Sequence, residues 1–153
     1  MAIEIGQPAP EFSLKDQSGE LVSLSDFRGK QPVALVFYPF TFTAVCEGEL
    51  CRLRDDFSEY TDAGVQVLAC SCDTPFAQKQ WAAQQGYQFP VLSDFWPHGA
   101  VAKAYGVFNE ERGCANRGTF LIDADGVVVD VFVSPDLGTA REKARYDEAL
   151  AKL

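Results

Sequence analysis

The segment Pro39-Phe40-Thr41-Phe42-Thr43-Ala44-Val45-Cys46-Glu47-Gly48-Glu49 puts a thiol where a strand hands over to a helix. The apolar run before it, residues 33–38, reads as a strand buried on both faces, and Pro39 ends it. Residues 44–62 read as a helix with Leu50, Leu53, Phe57 and Tyr60 along one stripe. Thr43 is then the N-cap, and Cys46 falls in the first helical turn. Free backbone N–H groups and the positive end of the helix dipole favour an anion there. A thiolate is such an anion, and the thiolate rather than the thiol is the nucleophile. The Thr43 hydroxyl can bond to backbone, to sulfur, or to an oxygen brought by a substrate. Pro39 has no N–H and forms a rigid wall that keeps water off the sulfur. The competing reading makes Cys46 a small apolar residue, because positions 46, 50, 53 and 57 share the buried stripe.

Four more cysteines accompany it: Cys51, Cys70, Cys72 and Cys114. The resulting odd total of five, with no basic-then-apolar leader at the start, reads as thiols of a reducing cytoplasm rather than a secreted disulfide framework. Cys46-x4-Cys51 and Cys70-x-Cys72 match no usual zinc spacing, and the lone His98 beside Pro97 and Gly99 reads as a cap or surface residue, so no metal is expected. Cys70 and Cys72 alternate along one strand face and read as core thiols, with Cys72 nearer the site rim. Cys114 reads as partly exposed, in the loop before Arg117.

The surrounding elements follow from pattern. Residues 11–27 alternate around the Ser18-Gly19 turn and predict an N-terminal hairpin. Residues 65–71 predict a second buried strand, 75–85 a helix, 99–105 another, and 139–152 a closing helix. Residues 119–123 and 127–133 flank the Asp125-Gly126 turn as a second hairpin. This order predicts an α/β fold, one domain over residues 1–153, with a central mixed sheet flanked by helices. At 153 residues and 47% hydrophobic, the chain is large and apolar enough to bury a real core. No apolar run approaches the roughly 18–20 residues of a membrane span. With a net charge of −9, neither nucleic acid nor an anionic membrane surface is an expected partner.

The pattern Pro39-x-x-x-Thr43-x-x-Cys46 resembles the active-site motif of the peroxiredoxins, thiol peroxidases on a thioredoxin-like fold. Glu49 and Arg117, in Asn116-Arg117-Gly118-Thr119-Phe120, continue the resemblance, and residues 93–113 are most similar to the actinobacterial AhpE type. The resemblance implies a cofactor-free enzyme in which Cys46 attacks the O–O bond of a peroxide and becomes a sulfenic acid. It implies that Thr43 and Arg117 orient thiolate and peroxide, that Glu49 holds the arginine, and that Val45 joins Thr43, Cys46 and Arg117 in contacting substrate. Without it, Arg117 and Glu49 read as solvated surface charges. Phe37, Tyr38, Phe40 and Phe42, with Trp81, Phe95 and Trp96, supply aromatic area for core and subunit contacts. Such area beside the site suits alkyl and fatty-acid hydroperoxides as well as hydrogen peroxide. The family resemblance implies a homodimer or larger homo-oligomer.

Cys46-x4-Cys51 resembles the spacing of the Q-type (bacterioferritin-comigratory) branch, where the second cysteine resolves the first. Five helical residues turn by about 500° and rise about 7.5 Å, which leaves the Cα atoms roughly 8–9 Å apart. That exceeds the ~7 Å reach of a disulfide, so such a bridge requires the helix to unwind. Gly48 between them weakens the helix by up to ~1 kcal/mol relative to Ala. Cys51 can equally pack between leucines, and Cys114 is a second candidate partner. Without resolution, an external thiol must reduce the sulfenic acid, with thioredoxin, mycoredoxin and a low-molecular-weight thiol all open as reductants. Two other classes share the first step or the fold: a peroxide sensor, and a thiol–disulfide oxidoreductase, which would carry Cys-x-x-Cys where Glu49 stands.

Overall fold

The structure, a computed structural model, describes residues 3–153. The residues 33–38 run forms β3 (Val33–Phe37), every residue of it buried. Alternation divides that strand between two cores. Ala34, Val36 and Tyr38 face one layer, and Val33, Leu35 and Phe37 face the other. A strand covered on both faces needs neighbours on both edges. β3 pairs in parallel with β4 (Gln66–Ser71) and antiparallel with β8 (Gly118–Ile122). β4 continues in parallel to β5 (Val91–Ser93), and β8 turns through Asp125-Gly126 into β9 (Val128–Val133).

The N-terminal hairpin is present as β1 (Ser13–Lys15) and β2 (Leu21–Ser23), and it docks on β5. The resulting sheet has seven strands in the order β2-β1-β5-β4-β3-β8-β9. Three helices cover the first face: α1 (Ala44–Asp55), α2 (Phe57–Asp62) and α3 (Pro75–Gln85). The closing α5 (Lys143–Leu150) adds Tyr146 and Ala149 to that layer. The second face is covered by α4 (Ala100–Ala104) and the 3₁₀ turn Leu24–Asp26, with a two-stranded ladder of β6 (Phe108–Asn109) and β7 (Cys114–Ala115) beside them. This mixed sheet between helical layers is the thioredoxin-like architecture. No helix among the described residues is long and apolar enough to cross a membrane.

Three expectations need correction. The helix over residues 44–62 is interrupted at Asp56, whose φ of −93° and ψ of 10° end α1 and begin α2. The stripe survives the break, with Leu50, Leu53 and Tyr60 buried and Phe57 packed against them. The closing helix starts at Lys143 rather than 139, because Arg141 turns inward and Glu142 caps the helix from an extended conformation. Cys114 is not partly exposed: pairing of Asn109 with Cys114 draws the expected loop into the β6–β7 ladder, and the thiol is fully buried. Phe37, Tyr38 and Trp81 lie in the core, whereas Phe40, Phe42, Phe95 and Trp96 are exposed.

Candidate active site

β3 ends at the sheet's carboxyl edge, and the chain turns through residues 38–43 before α1. Tyr38 OH and Thr41 Oγ1 lie 2.9 Å apart, and the Thr41 N–H donates to Asp73 Oδ2 at 2.8 Å, which fixes the turn. Phe42 takes a φ of 66°, a left-handed value that only the surrounding contacts hold in a residue with a side chain. Its ring rests 6.2 Å from that of Trp81. Thr43 then occupies the N-cap of α1 with extended backbone, as the sequence predicts. Its hydroxyl does not cap the helix. It donates to the Phe40 carbonyl at 2.7 Å, so its lone pairs remain available as acceptors.

Cys46 is fully buried on the inner face of α1. Arg117, from the start of the β8 segment, reaches it: Nη1 donates to Cys46 Sγ at 3.2 Å and to Glu49 Oε1 at 2.7 Å. Nε of the same guanidinium donates to the Leu137 carbonyl at 2.8 Å. Sequence positions 46, 49 and 117 therefore converge, with the buried Arg117 guanidinium touching both the sulfur and the carboxylate.

The sequence reading missed Arg141. Its Nη2 donates to Glu49 Oε1 at 2.8 Å, its Nε to Glu49 Oε2 at 2.9 Å, and its backbone N–H to Oε2 at 2.7 Å. Nη1 donates to the Gly118 carbonyl and to Thr119 Oγ1, and that hydroxyl meets Tyr146 OH at 2.9 Å. Glu49 thus sits between two guanidinium groups, each side chain no more than 3% exposed. Burial alone pushes the Glu49 carboxyl up, but the hydrogen bonds and charge of Arg141, with the charge of Arg117, hold it below its usual value.

Three of the other thiols are poor nucleophiles. Burial raises Cys70 well above the ordinary thiol range, and burial with the Asp94 charge pushes Cys72 up to about 12. Cys114 is raised as well, by burial and then by the neighbouring Cys46. Cys51 is half-buried on α1, its sulfur 3.4 Å from Gln85 Oε1 and 3.5 Å from Tyr87 OH. All five cysteines are free, and no group of three metal-ligating side chains is present among the described residues. His98 lies outside the site, bonded to the Gly113 carbonyl.

A groove of about 320 Å³ leads to this centre. Pro39, Phe40, Val45 and Leu137 form apolar walls, and Thr43 and Arg117 belong to its polar lining. The four substrate contacts expected from sequence are thereby together: Thr43, Val45 and Arg117 line the groove, and Cys46 lies one hydrogen bond behind Arg117. Arg112 also lines the groove, which nothing local in the sequence indicates.

A match to the AhpC/TSA family spans residues 5–131. The chain belongs to the AhpC/TSA family. As a peroxiredoxin it is a thiol-dependent peroxidase. It is 46% identical over 151 residues to alkyl hydroperoxide reductase E of Mycobacterium tuberculosis, covering 99% of this chain and 98% of that one. It is 39% identical over 163 residues to a thioredoxin peroxidase of Echinococcus granulosus, with 100% of this chain and 81% of the relative covered. The crystal structure of peroxidoxin BcpB from Mycobacterium tuberculosis superposes with a TM-score of 0.86 at 32% identity, covering 98% of this chain and 96% of that one.

Proposed function

We propose that this peroxiredoxin reduces hydrogen peroxide and organic hydroperoxides, alkyl and fatty-acid ones included, with Cys46 as the nucleophile. One observation carries the reading: the buried Arg117 guanidinium donates at once to Cys46 Sγ and to Glu49. The thiolate attacks the terminal oxygen of R–O–O–H. An S–O bond forms, the O–O bond breaks, and its electron pair leaves on RO⁻, which takes a proton from solvent. Cys46 becomes a sulfenic acid. Arg117 stabilises the charge that builds on the leaving oxygen, and Thr43, its own proton bonded to Phe40, accepts from the peroxide hydrogen. Glu49 holds Arg117, Val45 bounds the bound peroxide, and Pro39 shields the sulfur. The reaction needs no cofactor or metal, and the single domain of residues 1–153 carries all of it.

Cys51 resolves the sulfenic acid in this scheme. Its thiolate attacks the Cys46 sulfur, an S–S bond forms, and the hydroxyl leaves as water after gaining a proton. The bridge requires the first turns of α1 to unwind. A Cβ added at Gly48 would meet nothing within 4 Å, so packing does not demand glycine there, and what glycine contributes is a weaker helix between the two cysteines. A thioredoxin-type dithiol in the cytoplasm then restores both thiols with two electrons. The exposed aromatic surface of Phe76, Phe95 and Trp96 supports pairing with a second copy of the chain.

Stopped-flow kinetics on Cys51→Ser tests this cycle. A single turnover with hydrogen peroxide is expected to run at the parental rate, while recycling by thioredoxin slows about tenfold or more. Unchanged recycling would remove Cys51 from the cycle, and failure of the parent itself to be oxidised would remove the peroxidase reading of the site.

A further inference from the structure

We propose that Arg112 binds the carboxylate of hydroperoxides that carry one, at the rim of the groove leading to Cys46. This deepens the reading above and rests on Cys46 being the oxidised thiol. At about 30 Å³ per water-sized group, a groove of about 320 Å³ has room for roughly ten non-hydrogen atoms, far more than hydrogen peroxide fills. Its walls of Pro39, Phe40, Val45 and Leu137 suit a hydrocarbon chain.

Two cations line that space. Arg117 is committed, with Nη1 on Cys46 and Glu49 and Nε on the Leu137 carbonyl. Arg112 is not. Its backbone is pinned, with its N–H donating to Asn109 Oδ1 at 3.0 Å and the next residue, Gly113, donating to the Asn109 carbonyl at 2.8 Å. Its exposed guanidinium makes no salt bridge or hydrogen bond among the described residues. Two carboxylates share the adjoining cleft with it. Glu111 points to solvent from the preceding position, and Asp136 Oδ1 is occupied by the Gly138 N–H at 2.9 Å and the Thr139 hydroxyl at 2.7 Å.

The charge of the whole chain makes this cation matter. A net charge of −9 repels an anionic substrate at long range. A guanidinium at the rim reverses that field locally and offers a planar fork that matches a carboxylate. Apolar walls beside this cation and the reactive sulfur select an amphipathic acid, its hydrocarbon on the walls and its carboxylate on Arg112.

The test compares the 9-hydroperoxide of linoleic acid with its methyl ester, read as second-order rate constants of Cys46 oxidation in the full chain. The acid-to-ester ratio is expected to fall about three- to fivefold in Arg112→Ala and about tenfold in Arg112→Glu, with Arg112→Lys recovering part of it. The preference of the parent is expected to shrink as ionic strength rises. Equal ratios in parent and variants overturn the proposal. So does a parallel loss of the hydrogen peroxide rate in the variants, which would assign Arg112 to the reacting centre itself. A parent that no hydroperoxide oxidises at Cys46 overturns the peroxidase reading instead.

Discussion

Cys46→Ser is expected to lower peroxide consumption by about 10³-fold or more, because a serine hydroxyl is not ionised at neutral pH and no other thiol is placed to replace it. Cys70, Cys72 and Cys114 are buried and held protonated. Cys51 lies against Gln85 and Tyr87, and no guanidinium among the described residues donates to its sulfur. The substitution removes almost no volume, and Arg117 can donate to the new oxygen as it does to sulfur, so the fold is expected to survive. Peroxide consumption with excess reductant, alongside thermal melting of the variant, checks both parts. Activity within tenfold of the parent would move the nucleophile elsewhere.

Glu49→Ala is expected to cost about 3–5 kcal/mol of stability, since it leaves Arg117 and Arg141 buried without their counter-charge. In a chain of this size that lowers the melting temperature by roughly 6–20 °C. Oxidation of Cys46 should also slow about 10²-fold, because Arg117 loses the partner that aims it. Acid titration separates the charge from the packing. The folded-state carboxyl lies below its usual value of 4.5, so its stabilisation is complete above that pH and is lost as pH falls below it. Asp130 is lowered too, through Arg145 and Lys152 after burial is offset. The difference between parent and Glu49→Gln therefore isolates Glu49: the gap in unfolding free energy should narrow as pH drops below 4.5. A gap that is constant with pH would show that the carboxylate charge does not hold the arginines.

Much of the candidate site was legible because its residues are neighbours in sequence. Pro39, Thr43, Val45 and Cys46 lie on one strand-to-helix turn, and the unbroken apolar run before them marks a strand covered on both faces. Arg117 and Glu49 were placed only by family resemblance, since 68 residues separate them and each alone reads as solvated. Arg141 escaped because it is 92 residues from its partner and sits in Thr139-Ala140-Arg141-Glu142-Lys143, a stretch that reads as the polar start of a helix. Only the fold shows that this turn faces inward. Cys114 was misplaced for a related reason: a two-residue ladder leaves too little periodicity to distinguish it from a loop. The Thr43 hydroxyl bonds back to Phe40 across a left-handed Phe42, a conformation that no residue type there announces.

The most direct measurement is the intact mass after one equivalent of hydrogen peroxide, followed by alkylation and peptide mapping. A loss of about two hydrogens, mapped to a Cys46–Cys51 bridge, is the predicted result. A gain of one oxygen on Cys46 with Cys51 still alkylatable would keep the nucleophile and remove the resolving role. Oxidation confined to Cys51, Cys70, Cys72 or Cys114, with Cys46 fully alkylatable, would contradict the claim that the thiol beneath Arg117 takes the peroxide oxygen.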